Sequence, residues 1–255
     1  MHNSEADKWM ANVVARLGGL PKNYMVFDVE STGLDLNNDL VIQLGYALVI
    51  DKTLVECSSI MVDWTHSRDD EFCQWLDNRM TSTRNNMEAK NPGAGMYKHS
   101  VARLKEKGIP AYEAFTHFMD IVKLCRSNKF SFIAHNGLRF DQPMLDRCVK
   151  QLRGEDESFK LDTASGLYFD TMGLERGSQT KIMPTPSDDW YTFNHRLVYE
   201  GGRIFSSLDR HCSTKYDLVN KHALEGSAHE ADFDCRLTHH LFEEFREMAE
   251  RGAAA

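Results

Sequence analysis

The sequence predicts a mixed α/β domain: a sheet begun by antiparallel strands and extended by strands that alternate with helices. Three observations predict it. Residues 24–30 (YMVFDVE) are a short apolar run between turn signals, the pattern of a buried strand. Two further strand-like runs, 41–50 and 54–62, follow at once and are joined by Asp51-Lys52-Thr53. Beyond them, segments of helical period alternate with short apolar runs. The resulting order, βββ, α, β, α, β, α, describes a mixed five-stranded sheet flanked by helices.

Each element has its own local reason. Residues 4–17 read as an amphipathic helix, because Trp9, Met10, Val13, Val14 and Leu17 recur at helical spacing and Gly18-Gly19 ends the run. Residues 1–20 are therefore assigned to an N-terminal helix and 21–250 to the main domain. After the third strand comes a short helix over 70–77. A longer one over 111–125 carries Phe115, Phe118, Met119 and Val122 on one stripe, with Pro110 in front. Residues 130–134 return to strand, 141–152 to helix and 167–170 to a fifth strand; 207–218 and 231–249 are the last two helices. The stretch 174–205 breaks this rhythm. Pro184, Pro186, Ser187 and Asp188 are turn formers and Gly201-Gly202 reads as a hairpin turn, so the segment is assigned to a hairpin inserted at the rim of the sheet.

Composition sets the outer limits. A chain of 255 residues with 42% hydrophobic and 27% charged residues can bury a substantial core, which excludes disorder, collagen and coiled coil. The longest apolar stretch, 40–50, is interrupted by Gln43 and is too short to span a bilayer, so no membrane partner is expected. The start lacks a basic segment leading into an apolar one. The six cysteines are scattered with no Cys-x-x-Cys pair, as expected of reduced thiols in a cytoplasmic protein. A net charge of −8 argues against long tracking along duplex phosphates, and an excess of carboxylates is what a divalent-metal site requires.

Three constellations carry chemistry. In Asp28-Val29-Glu30, followed by Ser31-Thr32-Gly33, residues two apart on a strand share a face, so two carboxylates stand side by side. Such oxygen donors suit Mg²⁺ or Mn²⁺, and a buried apolar strand tolerates ionised carboxylates only with a partner. Asp141, after His135-Asn136 and before Gln142-Pro143, opens a helix; taken alone it reads as a cap. His229 and Asp234 flank the start of the last helix. Five residues on a regular helix turn through about 140°, so the two share a site only if His229 lies in the preceding loop or first turn.

Taken in order, Asp-x-Glu on the first strand, then Asp141, then His-x₄-Asp near the end resemble the DEDDh 3′–5′ exonucleases, the DnaQ-like family. The matching residues are Asp28, Glu30, Asp141, Asp234 and His229, across roughly residues 24–248. The resemblance implies an RNase H-like core and two divalent ions, Mg²⁺ or Mn²⁺. It implies removal of nucleoside 5′-monophosphates from a single-stranded 3′ end. It also assigns Asp28, Glu30, Asp141 and Asp234 as metal ligands and His229 as the general base. By the same resemblance, backbone amides around Thr32 and Gly33 hold the terminal nucleotide and Leu34 touches its base. Single-stranded DNA is the preferred substrate. RNA or short oligonucleotides are the alternative, and a polymerase partner is left unassigned. Arg139, Arg196 and Arg203 are read as solvated arginines first and as local phosphate contacts second.

Two other readings stand beside this one. A phosphatase of the haloacid dehalogenase type would use Asp28 as a nucleophile, but that class needs Asp where Glu30 stands and leaves His229 and Asp234 unexplained. A non-catalytic nucleic-acid-binding module would have no use for an intact set of five site residues.

Overall fold

The computed structural model describes residues 4–90, 98–159, 161, 168–200, 208, 211–226 and 229–255. Six strands form the sheet: β1 (Tyr24–Ser31), β2 (Val41–Ile50), β3 (Thr53–Asp63), β4 (Ile109–Pro110), β5 (Ser131–Ala134) and β6 (Tyr168–Asp170). Their spatial order is β4-β3-β2-β1-β5-β6. β1, β2 and β3 pair antiparallel, whereas β5 runs parallel to β1 and β6 parallel to β5. The β2–β3 turn is two residues long, Asp51 and Lys52, both with positive φ (47° and 67°). That backbone twist is the one a tight antiparallel hairpin needs.

Helices cover both faces of the sheet. One core layer gathers Met25, Phe27 and Val29 of β1 under α2 (Asp70–Lys90), α3 (Val101–Lys107), α4 (Ala111–Ser127) and α5 (Asp141–Arg153). The other gathers Tyr24 and Val26 under α1 (Ser4–Leu17), α6 (Thr171–Thr180), α7 (Trp190–Glu200) and α8 (Ala231–Ala253). Because β1 is buried on both faces, it reads as a continuous apolar run rather than an alternating one. The alternation of side chains nevertheless fixes where its carboxylates go. Asp28 and Glu30 share the face of Tyr24 and Val26, the face that α8 covers. Among the described residues, no helix is long and apolar enough to cross a membrane.

The structure corrects the sequence reading in four places. The segment assigned to an inserted hairpin is helical over α6 and α7. Trp190, Phe193 and Leu197 recur at helical spacing and are buried with Leu174 in the second core, so this is an integral layer and not an appendage. Pro184 and Pro186 fall in the connector, and Asp189 caps α7 by accepting the Thr192 N–H at 2.8 Å. The Gly201-Gly202 turn, Arg203 and Ser207 lie outside the described residues. Second, α2 continues to Lys90 instead of ending at 77, with Leu76 and Met80 in the core. Third, β4 is a sixth strand, and its two residues are too few to show any period. Fourth, of the helix expected over 207–218, residues 207, 209 and 210 lie outside the described residues and Leu208 is helical, but His211–Lys215 is a π-helical turn and Leu218–Lys221 a single α-turn. The final helix runs past 249 because Arg251 pairs with Asp7 of α1 at 3.1 Å.

One glycine sets how closely α8 lies on the sheet. Gly45 of β2 is the register partner of Asp28, and a Cβ there would meet the Ala231 carbonyl oxygen at 2.5 Å. Gly45→Ala should therefore lift the first turn of α8 off β2. We expect a loss of about 1–3 kcal/mol, the usual range for overpacking, read as a lowered thermal midpoint.

Candidate active site at the end of the central strand

Three distant chain segments converge where β1 leaves the sheet. Glu30 is the last residue before a register shift in the β1–β2 ladder. β5 stops pairing with β1 at Val26, and on that side the N–H of Val29 donates instead to Asp141 Oδ1 at 2.9 Å. This bond ties the start of α5 to the strand bearing Asp28 and Glu30. Asp234, one turn into α8, faces the same carboxylates. Its Oδ2 accepts the N–H of His229 at 3.3 Å, which folds the preceding loop back over the site. His229 has φ 64° and places Nδ1 3.9 Å from Glu30 Oε1. Asp28, Glu30, Asp234 and His229 line one cavity of about 620 Å³ with Gly33, Leu34 and Phe140.

The electrostatics of this cluster are strained in one direction. Burial, then the charges of Asp141 and Asp234, hold the Asp28 carboxyl well above the usual carboxylate range. Glu30 is raised in the same way, by burial and then by Asp234 and Asp141. Asp141 is pushed up as well, chiefly by burial, against the hydrogen bond from Val29. Among the described residues, no Lys or Arg forms an ion pair with Asp28, Glu30 or Asp141. Glu30, Asp234 and His229 offer ligand atoms that all lie within 4.8 Å of one another. Carboxylate oxygens in excess, clustered around one point, fit a hard divalent cation.

Several residues that hold the site are not evident from the sequence. His99 is fully buried, and its Nε2 lies 3.2 Å from the His229 carbonyl, so the ring donates there as the Nε2–H tautomer. Arg103 of α3 pairs with Glu230 at 2.9 Å, and Gln43 Oε1 accepts the Ala231 N–H at 3.3 Å. Burial raises the Glu230 carboxyl, but the bond and charge of Arg103 outweigh it and keep it below the usual range. Asp170, at the end of β6, accepts from the N–H groups of Asn136, Leu138, Met172 and Gly173. It thereby fixes the loop that leads into Asp141.

The loop after β1 forms the other wall. Asp39 is fully buried; it accepts from the Thr32 hydroxyl at 2.8 Å, the Asp35 N–H at 2.8 Å and Arg79 of α2 at 2.6 Å. The Thr32 N–H donates to Leu40 at 2.9 Å, so that amide is committed within the loop and does not face the cavity. Gly33 and Leu34 do line the cavity, and Leu34 is 77% exposed. Opposite them the extended α2 contributes Arg79, Ser82, Thr83, Asn86 and Met87. The short 70–77 helix of the sequence reading could not have supplied these residues.

No family model matches the chain, and no curated protein matches it. Solved structures do. Exonuclease I from Methylocaldum szegediense matches 89% of this chain at 14% identity with a TM-score of 0.55. E. coli exonuclease I matches 90% at 12% identity and 0.54 with a 5cy-dT13 oligonucleotide, and 91% at 14% and 0.52 with dT13. The fold is RNase H-like. This chain spans about two-fifths of the length of those proteins, 41–42%. In this RNase H-like frame the carboxylates occupy the end of the central strand and the first turns of two helices packed beside it.

Two predictions follow from the charges. Asp28→Asn removes one of the mutually repelling carboxylates and should raise the thermal midpoint in EDTA by about 2–4 °C, corresponding to about 1 kcal/mol. Added Mn²⁺ should raise the midpoint of the unsubstituted protein more than that of this variant. His99 is held down to about 4, chiefly by burial. Between pH 6.5 and about 4 the unfolded chain binds a proton that the folded state refuses, so stability falls with pH by roughly 3 kcal/mol across that window. His99→Gln should keep a donor to the His229 carbonyl and lose this acid-side fall; parallel pH–stability curves for the two proteins would contradict the assignment.

Proposed function

We propose that this protein is a metal-dependent 3′–5′ exonuclease of single-stranded nucleic acid, with DNA preferred over RNA. The observation that carries the reading is the convergence of Asp28, Glu30, Asp234 and His229 on one cavity of an RNase H-like sheet, with Asp141 held to the same strand by the Val29 N–H. The preference for DNA draws on the neighbouring exonuclease I structures, which include complexes with dT13 and dA16 oligonucleotides.

Asp28, Glu30 and Asp234 would hold the divalent cations, and Asp141 would complete the set from the α5 side. Bound Mg²⁺ or Mn²⁺ supplies charge neutralisation for the attacking and leaving oxygens of an in-line displacement. His229, in a loop rather than in the helix, takes the proton of the attacking water at a ring nitrogen. The Asp234–His229 backbone bond and the His99, Arg103 and Gln43 contacts set where that imidazole sits. Gly33 and the exposed Leu34 face the α2 side chains across a cavity of about 620 Å³, room for one terminal nucleotide with its base against Leu34. The products are nucleoside 5′-monophosphates.

A 5′-labelled single strand incubated with Mg²⁺ or Mn²⁺ should shorten progressively from its 3′ end. The ladder should vanish in EDTA and in Asp28→Ala. His229→Ala should retain binding and lose about 10²–10⁴-fold in rate, the usual contribution of a positioned base. Running DNA and RNA of equal sequence side by side tests the polymer preference. A folded protein that yields no ladder with either metal would sink the reading.

A further inference from the structure

One exposed surface is built in a way that burial does not require. On α7, Tyr191, His195 and Tyr199 recur every fourth residue, so they line one side of the helix at steps of about 6 Å. Their ring centroids are 6.2 Å apart for Tyr191–His195 and 4.4 Å for His195–Tyr199. His195 is exposed and Tyr199 is 48% exposed, while Phe193 and Leu197 already anchor the helix in the core. Arg139 is exposed, and its guanidinium lies over the Tyr199 ring, 4.8 Å from the centroid. Nearby Arg176 is buried; its Nη1 donates to the Val198 carbonyl at 2.9 Å and its Nε has no hydrogen-bond partner. Neither arginine forms an ion pair among the described residues, although the chain carries a net charge of −8. Burial first, and the charge of Arg139 second, depress the Arg176 guanidinium, and the charge of Asp170 only partly opposes them.

This surface is continuous with the carboxylate cavity. Tyr199 donates its hydroxyl to the Leu138 carbonyl at 3.3 Å, and Arg139 is followed by Phe140, which lines the cavity, and by Asp141. We propose that the α7 face is the lane for nucleotides on the 5′ side of the terminal one, with bases stacking on Tyr199 and His195 and a phosphate meeting Arg139. The proposal rests on the exonuclease reading. Stacking on an aromatic ring is tolerant of sequence, because every base has a π-face, and a guanidinium supplies the charge a backbone phosphate needs. The ring steps, 6.2 Å and 4.4 Å, both exceed the roughly 3.4 Å rise per nucleotide of a stacked duplex strand, so the lane suits an extended single strand.

The test compares KM for dT2 and dT12 in Mg²⁺, as a function of salt, for the full chain and three variants. For the unsubstituted protein we expect KM to fall from dT2 to dT12. In Tyr199→Ala the KM(dT2)/KM(dT12) ratio should drop about tenfold, within the range of a lost base stack. Tyr199→Phe keeps the ring and should keep the ratio. Arg139→Ala should reduce the salt slope of log KM for dT12 by about 0.7, the share of one phosphate on a single strand. An unchanged ratio in Tyr199→Ala, or an equal loss in Tyr199→Phe, would overturn the lane and leave the exonuclease reading standing. Failure of the unsubstituted protein to hydrolyse either oligonucleotide would overturn both.

Discussion

Asp28 and Glu30 sit on a strand that is otherwise apolar and buried on both faces, where an ionised carboxylate is costly unless a compensating charge is near. Asp141 and Asp234 approach from two further segments and make that cost larger, since each raises the carboxyl of its neighbours. Among the described residues no arginine or lysine pairs with Asp28, Glu30 or Asp141 to relieve it. The fold therefore has to impose the cluster through bonds that do not neutralise it. A backbone N–H of β1 holds Asp141, and the close approach of α8 at Gly45 carries Asp234 in. Stability given up at this point is what a site that binds cations can recover when they bind.

A second tier of contacts holds the loops that carry the site residues. His99 reaches the carbonyl of His229, Arg103 and Gln43 hold Glu230, and Asp234 takes the N–H of His229, so the loop before α8 is fixed at three successive points. Asp170 does the same for the loop before α5, with four N–H groups on one carboxylate. Both loops deliver a site residue within two positions of a helix start. A backbone fixed that closely leaves little freedom for Asp141 or the His229 main chain to drift. Positioned groups of this kind are what in-line displacement needs.

Much of this was legible in the sequence, for identifiable reasons. β1 announced itself because a strand covered on both faces must be apolar throughout, and the two carboxylates stood out against that background. Helical geometry put His229 in the loop or first turn on the condition that it shares a site with Asp234, and α8 does begin at Ala231. The hairpin assigned to 174–205 failed because its turn formers were given more weight than the spacing of Trp190, Phe193 and Leu197, which is helical. The cavity wall on α2 was missed for a different reason. Beyond Asp77 its cavity-side residues are mostly polar, and the stripe that reaches the core, Leu76 and Met80, is too sparse to extend a helix to Lys90. His99 and Arg103 left no signal, because each acts through tertiary contacts with segments far away in the chain.

The acidic net charge, which at first weighs against a nucleic-acid substrate, loses its force once individual charges are located. Many of the basic side chains are already spent on carboxylates: Arg251 on Asp7 and Glu244, Arg246 on Glu243, Lys221 on Glu244 and Glu247, Arg103 on Glu230. The pairs Arg251–Asp7, Arg103–Glu230 and Lys221–Glu244 tie α1, α3 and the turn at Leu218–Lys221 to the last helix or the residue before it, and paired charges present little field to a distant phosphate. Arg139 and Arg176 differ in forming no ion pair among the described residues, and they lie beside the loop that carries Asp141. Charge is thus divided by position, with carboxylates gathered at the end of β1 and the Arg139 and Arg176 guanidinium groups on the neighbouring face. A single strand engaged over a few nucleotides meets only that local pattern, and the total of −8 carries no weight against it.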